Sequence, residues 1–291
     1  MEKIKKTLIS IGIFLASQIV VSTIFVIAGL MQGMDMKTAV NSTLGMALLI
    51  SDLLTIILLL ILKYCRFKEL FKKVPADVLL ISIVFALSGM YAVEFLSSAF
   101  EIPDKMAEQF QALAGTISGF LGVCIIGPVM EEMIMRRVIL KEIAKATKSM
   151  WWGIIISSAL FAIIHINPIQ VVFAMPAGIF LGWIYCKTKS LLVPICIHII
   201  NNTIAFILMS MGYESQLSLD STFGVILLIV LILISALSCI WIVRYYNRLK
   251  KELELQQAAE AEPAKEPVNG AFEGDSYDKS EGDSSSRKFV Q

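Results

Sequence analysis

The sequence predicts an all-α fold, a polytopic membrane helical bundle of about eight transmembrane segments with both termini cytoplasmic. Three observations carry that expectation. Hydrophobic residues make up 57% of the 291 and charged residues only 17%, a balance foreign to soluble domains of this size. Apolar stretches recur at the length of roughly 20 residues that a helix needs to cross a bilayer. Lysine and arginine gather between alternate stretches, as cytoplasmic connections require.

The expected segments are Thr7 to Met31, Thr43 to Leu62, Val78 to Phe100, Thr116 to Met135, Trp151 to Ile166, Ile169 to Tyr185, Leu191 to Met211 and Phe223 to Val243. The first follows Lys3, Lys5 and Lys6, but its apolar run exceeds the core of a signal peptide, so an uncleaved anchor is expected. The fifth and sixth are short and separated by Asn167 and Pro168, which suggests tilted, buried or re-entrant pieces. A depth count adds to this: His165 lies about 21 Å from Trp151 along a helix, whereas Glu131 and His198 lie close to their lysine-rich ends. Either the fourth helix runs on past the membrane or the fifth is strongly tilted.

With the N-terminus inside, and leaving aside the C-terminal tail, 19 lysines and arginines fall on the cytoplasmic side and two, Lys37 and Lys105, on the other. That bias sets the orientation. A net charge of +1 gives no surface for nucleic acid, so none is expected as a partner. The five cysteines show no C-x-x-C spacing and point neither to disulfides nor to a zinc knuckle. Residues 1–112 read as N-terminal helices and loops, 113–210 as the core that holds the motifs, and 211–250 as a C-terminal helix. Residues 251–291, rich in Glu, Asp, Ser, Lys and Pro, read as a disordered cytoplasmic tail. No internal repeat of the kind that marks secondary transporters is visible.

Chemistry-bearing side chains concentrate in three segments. Glu131 and Glu132 stand in an apolar run, where ionisable groups are costly and functional by default. Adjacent helical residues point about 100° apart, so the pair is expected to divide. Glu132 and Arg136 stand in the favourable i, i+4 order, acid before base. That arrangement makes Glu132 a structural partner and leaves Glu131 facing elsewhere as a candidate base. Pro128 removes a helical donor and is expected to orphan the carbonyl of Cys124 and kink the segment. On the next motif helix Phe161 and His165 share a face, giving an aromatic wall beside an imidazole. On the third, His198 and Asn202 share a face. Each alone reads as an interhelical hydrogen bond; together they form a proton-handling set.

Glu-Glu-x-x-x-Arg, Phe-x-x-x-His and His-x-x-x-Asn, in that order on membrane helices, resemble the CAAX-protease and bacteriocin-processing family of intramembrane endopeptidases, also called Abi. The resemblance covers roughly Leu113 to Ser210. It implies a helical bundle with a cytosol-facing active site in the plasma membrane. It also implies Glu131 as the catalytic carboxylate, Glu132 and Arg136 as its structural partners with Phe161 beside them, and His165, His198 and Asn202 as the rest of the site. Arg137 departs from the family pattern, where glycine is common.

Peptide hydrolysis needs a base for water, donors for the oxyanion and an acid for the leaving amine. On the residues, Glu131 would take the water proton, His198 and Asn202 would steady the oxyanion, and His165 would orient the water. The family is described both as metalloprotease and as metal-independent glutamate peptidase. The expectation is that no cofactor is required, with zinc on Glu131, His165 and His198 as the alternative. Expected partners are the lipid bilayer and a membrane-associated peptide or protein substrate, such as a prenylated CaaX peptide or a bacteriocin or pheromone precursor. Rival readings are an ion- or proton-coupled transporter using Glu131, Asp52 and Glu94, a haem protein using both histidines, and a catalytically idle bacteriocin-immunity protein.

Overall fold

In a computed structural model, which describes residues 2–212 and 221–261, helices account for every regular element and no strand occurs among the described residues. The helices are α1 (Glu2–Met31), α2 (Met36–Ile61), α3 (Phe67–Leu70), α4 (Ala76–Ser97), α5 (Ala107–Ala114), α6 (Ile117–Thr147), α7 (Met150–Ile163), α8 (Pro168–Thr188), α9 (Leu192–Ser210) and α10 (Thr222–Ala261). Seven of them are long and apolar enough to cross a membrane. The eighth expected segment, α7, has only 14 residues. At about 1.5 Å per residue it falls short of a hydrocarbon core of about 30 Å. The break at Asn167 and Pro168 is real, yet only the helix before it is short, since α8 runs 21 residues. The depth problem resolves along with this, because α6 continues to Thr147 rather than stopping at Met135.

Helix termini follow local chemistry. Asp35 caps α2 by accepting from the backbone N–H groups of Lys37 and Thr38, and Thr116 and Ser149 cap α6 and α7 in the same way. Such caps satisfy donors that the first turn leaves open. Close helix approach is set by small residues. A Cβ on Gly178 of α8 would lie 2.8 Å from the Ser158 Cβ of α7, so these two helices pack at a distance only glycine permits.

Two contact units divide the chain, residues 1–247 and 248–291. In the first, one apolar cluster gathers Leu59, Met130, Met133, Ile134, Phe161 and Leu191 around α6, and a second joins Phe85, Leu181, Ile184 and Ile197. The second unit is helical to Ala261, with Lys250 and Glu254 paired at 3.5 Å. This corrects the tail boundary: the stretch from Glu252 is rich in Leu, Glu, Gln and Ala, which are strong helix formers, and the i, i+4 pair supports them. The rest of the expected tail, 262–291, lies outside the described residues.

Arg137 is explained by a contact across the bundle. Its Nε and Nη2 donate to the two carboxylate oxygens of Glu69 at 2.7 and 2.9 Å, a bidentate fork that fastens short α3 to α6. The hydrogen bond from Arg137 holds the Glu69 carboxyl below the usual carboxylate range against the opposing effect of burial. A depressed folded-state pKa gives stability that is present above the unfolded value of about 4.3 and is lost as pH falls through the lower folded value. Hydrogen exchange over residues 62–75 is expected to accelerate in that acid window, and Glu69→Gln should accelerate it at neutral pH. Unchanged exchange in the Glu69→Gln protein would show that the fork does not hold α3.

Candidate active site

Gly127 to Glu132 forms a short α-helical piece of α6 between two π-helical stretches, Leu121–Ile126 and Met133–Leu140. In the first of these the Gly127 N–H donates to the Gly122 carbonyl, five residues back. In that register the N–H missing at Pro128 belongs to Val123, not to Cys124 as an α-helical count would have it. The Nδ2 of Asn202 on α9 donates to the Val123 carbonyl at 3.0 Å. The proline therefore creates a vacancy that a motif asparagine fills, as buried carbonyls require.

The acidic pair does not divide as its helical angle suggests. Glu132 is fully buried with Arg136, its Oε2 lying 3.0 Å from the Arg136 Nε. That approach is ionic rather than a well-aligned hydrogen bond, since neither atom makes a hydrogen bond of good geometry. The expected structural pairing is thus present. Its other oxygen, Oε1, lies 3.0 Å from the Nδ1 of His198. Glu131, 21% exposed, brings Oε2 to 3.5 Å from the Nε2 of the same imidazole. One ring has two nitrogens on different edges, so carboxylates about 100° apart on α6 both reach it. Of the two approaches only that to Glu132 is a hydrogen bond, and a carboxylate can only accept, which places the proton of the neutral ring on Nδ1 and leaves Nε2 facing Glu131.

Phe161 organises the neighbouring groups. The Arg136 Cζ sits 5.2 Å from its ring centroid, a cation–π contact. The rings of His165 and His198 meet it edge-on at 4.9 and 5.7 Å. His165 lies just past the end of α7, in a turn and not within a helix. Its Nδ1 lies 2.7 Å from the Phe161 carbonyl, which can only accept, so Nε2 is the nitrogen left for other work. Ile166 follows at φ +61°, an unusual conformation for a β-branched residue. Asn167 fixes the break from outside: its Oδ1 accepts from the Lys105 N–H at 3.0 Å and its Nδ2 donates to Asp104 at 2.9 Å.

A cavity of about 260 Å³ is lined by His165, His198 and Asn202, and also by Glu94, Tyr91 and Gln170. Glu131 is not on that wall and meets the site through His198. Asp52 on α2 accepts from Gln18 Nε2 at 2.7 Å. Glu94 and Tyr91 share a face of α4 by i, i+3 spacing. The sequence offered Glu94 as an acid in an apolar run, and that spacing was the signal that could have added Tyr91. Among the described residues no three His, Cys, Asp or Glu side chains converge as a metal-ion donor set would require. Glu131, His165 and His198 as placed do not form a zinc donor set.

The family model that matches this chain is that of the type II CAAX prenyl endopeptidase Rce1-like proteins, over residues 113–204. YdiL of Bacillus subtilis (strain 168), named as a membrane peptidase, is 26% identical over 178 residues, 57% of this chain and 72% of that protein. The membrane-embedded CAAX protease MroQ of Staphylococcus aureus (strain USA300) is 35% identical over 100 residues, 32% of this chain and 40% of that protein. No solved structure gives a significant match. The matched stretch covers the whole of the motif-bearing region from Leu113 through Asn202, and over that region this polytopic membrane chain is similar to the CAAX prenyl endopeptidases.

Proposed function

We propose that the protein is an intramembrane endopeptidase that hydrolyses a peptide bond in a membrane-associated substrate, with water activated by Glu131 and the site open to the cytosol from the plasma membrane. The observation that carries the reading is the single imidazole of His198, held at Nδ1 by Glu132, met at Nε2 by Glu131 and presented on a cavity wall with His165 and Asn202.

In this reaction Glu131 takes a proton from water as the oxygen attacks the scissile carbonyl. Glu132 keeps the His198 ring in one orientation, as the third member of a nucleophile–base–orienter chain does. The second amide hydrogen of Asn202 donates to the oxyanion, its first being committed to Val123, and Nε2 of His198, which carries no proton of its own, relays the water proton to Glu131. The C–N bond then breaks and Glu131 returns its proton to the leaving amine. His165, fixed through Nδ1, offers Nε2 to orient the water. A substrate of the CaaX-prenylated or bacteriocin-precursor type suits a site set among membrane helices, and the placement of the donors supports a route without metal.

Glu131→Gln and His198→Ala are each expected to lower cleavage of a membrane-anchored peptide library by at least about a hundredfold, the usual scale of general acid–base catalysis, with insertion and elution profile unchanged. Either variant retaining most of its activity would refute the assignment. Exhaustive chelation should leave wild-type cleavage intact; loss restored by zinc would reverse the metal-free route. Removing one partner of a buried ion pair costs about 3–5 kcal/mol, so Glu132→Ala should lower the unfolding temperature sharply. Adding Arg136→Met should recover most of that stability without recovering cleavage, because His198 Nδ1 has still lost its acceptor.

A further inference from the structure

A second cavity, far larger at about 920 Å³, lies apart from the histidines and is surrounded by cations. Three connections meet there. Lys68 and Lys72 come from the α3 region and Lys189 from the α8–α9 turn. Arg137, Lys141, Lys145 and Lys148 come from the end of α6. The charge bias of the sequence puts these three connections on one side of the membrane, and the fold brings them round one hollow. Against seven cations the wall carries one acid, Glu69, already seated in the fork of Arg137. Glu142 holds Lys145 at 2.7 Å. The excess positive charge therefore rests on the remaining lysines.

The walls are not wholly polar. Leu140, Ala144, Met150, Tyr185, Cys186 and Leu191 complete the lining, so the hollow pairs a cationic rim with apolar flanks. Its depth is marked by Trp151 and Trp152, both exposed and next in sequence to Met150. Exposed tryptophans at the end of a membrane helix belong to the interfacial belt at headgroup level. A soluble anion would need only the lysines; the apolar flanks at headgroup depth suit a phosphate that carries acyl chains.

We propose that this hollow binds the phosphate headgroup of an anionic phospholipid, with its glycerol and upper acyl segments against Ala144, Met150 and Tyr185. Basic pockets between membrane helices hold such headgroups through lysine and arginine. The site is separate from the peptidase reading and does not depend on it.

The test is native mass spectrometry of the full chain released from detergent with phosphatidylglycerol or with phosphatidylcholine of the same chains. Phosphatidylglycerol should be retained preferentially. Lys148→Gln and then Lys148→Gln with Lys189→Gln should weaken retention by about fivefold per lysine neutralised, the effect of one basic residue near an anionic surface. The control pair Lys250→Gln with Lys251→Gln, which is not in the lining, should leave retention unchanged. Equal retention of the two lipids, equal loss in the control pair, or no loss in the cavity variants would overturn the proposal. Displacement of the lipid by millimolar inorganic phosphate, or by an oligo-glutamate peptide, would assign the hollow to a soluble anion or an acidic protein instead.

Discussion

The core depends on one fully buried carboxylate. Glu132 has no exposed surface and answers to two partners on different helices, Arg136 on its own and His198 on α9. A buried charge that lost both would cost several kcal/mol, so α6 and α9 are bound to the separation at which one carboxylate spans both. The arrangement is not a fully satisfied network. Among the described residues neither terminal nitrogen of the Arg136 guanidinium has a hydrogen-bond partner, and the face of Phe161 is what they have in place of acceptors. Such a pair contributes little as a stabilising bond by itself. Its effect is to admit one packing of the helices and to reject the others.

Phe161 extends that constraint to the rest of the site. Its ring carries the guanidinium and both imidazoles, and its carbonyl carries His165. The end of α7 is thereby part of the site's framework. The shortness of that helix places His165 in a turn beside the cavity, where a full-length span would have carried it past. Asn167, nearly without exposure, ties the turn to the α4–α5 connection, so the histidine is fixed from the outside as well as from the core.

Much of this was legible in the residues, for identifiable reasons. Long apolar runs announce membrane helices because the bilayer allows few other shapes, and Glu132 with Arg136 was readable because i, i+4 spacing fixes neighbours on any α-helix. The joint hold of Glu131 and Glu132 on His198 was not readable. Helical angle alone separates them, and only the partner's two nitrogens bring them together. The π register was hidden for a related reason: the donor that relieves Val123 comes from Asn202, 79 residues away, and local propensity carries no trace of it. Glu94 was visible as an acid in an apolar run, but its place on the cavity wall beside the histidines was not, because that depends on how α4 packs against α9. The helix beyond Glu252 was missed because overall polarity was weighed above the helix-forming character of its residues.

The two π stretches give α6 a change of phase. An α-helix is a screw that advances about 100° per residue, and a π-bulge acts as one surplus residue lodged in the thread. The six residues between the stretches are therefore turned out of step with what precedes and follows them. A loop absorbs the gain or loss of a residue with little effect, but here deletion of one residue would heal the thread locally into an ordinary α-helix and swing the acidic pair off His198. The length of this helix is thus part of its chemistry: its count of residues is as much a determinant of the site as the identity of any one of them.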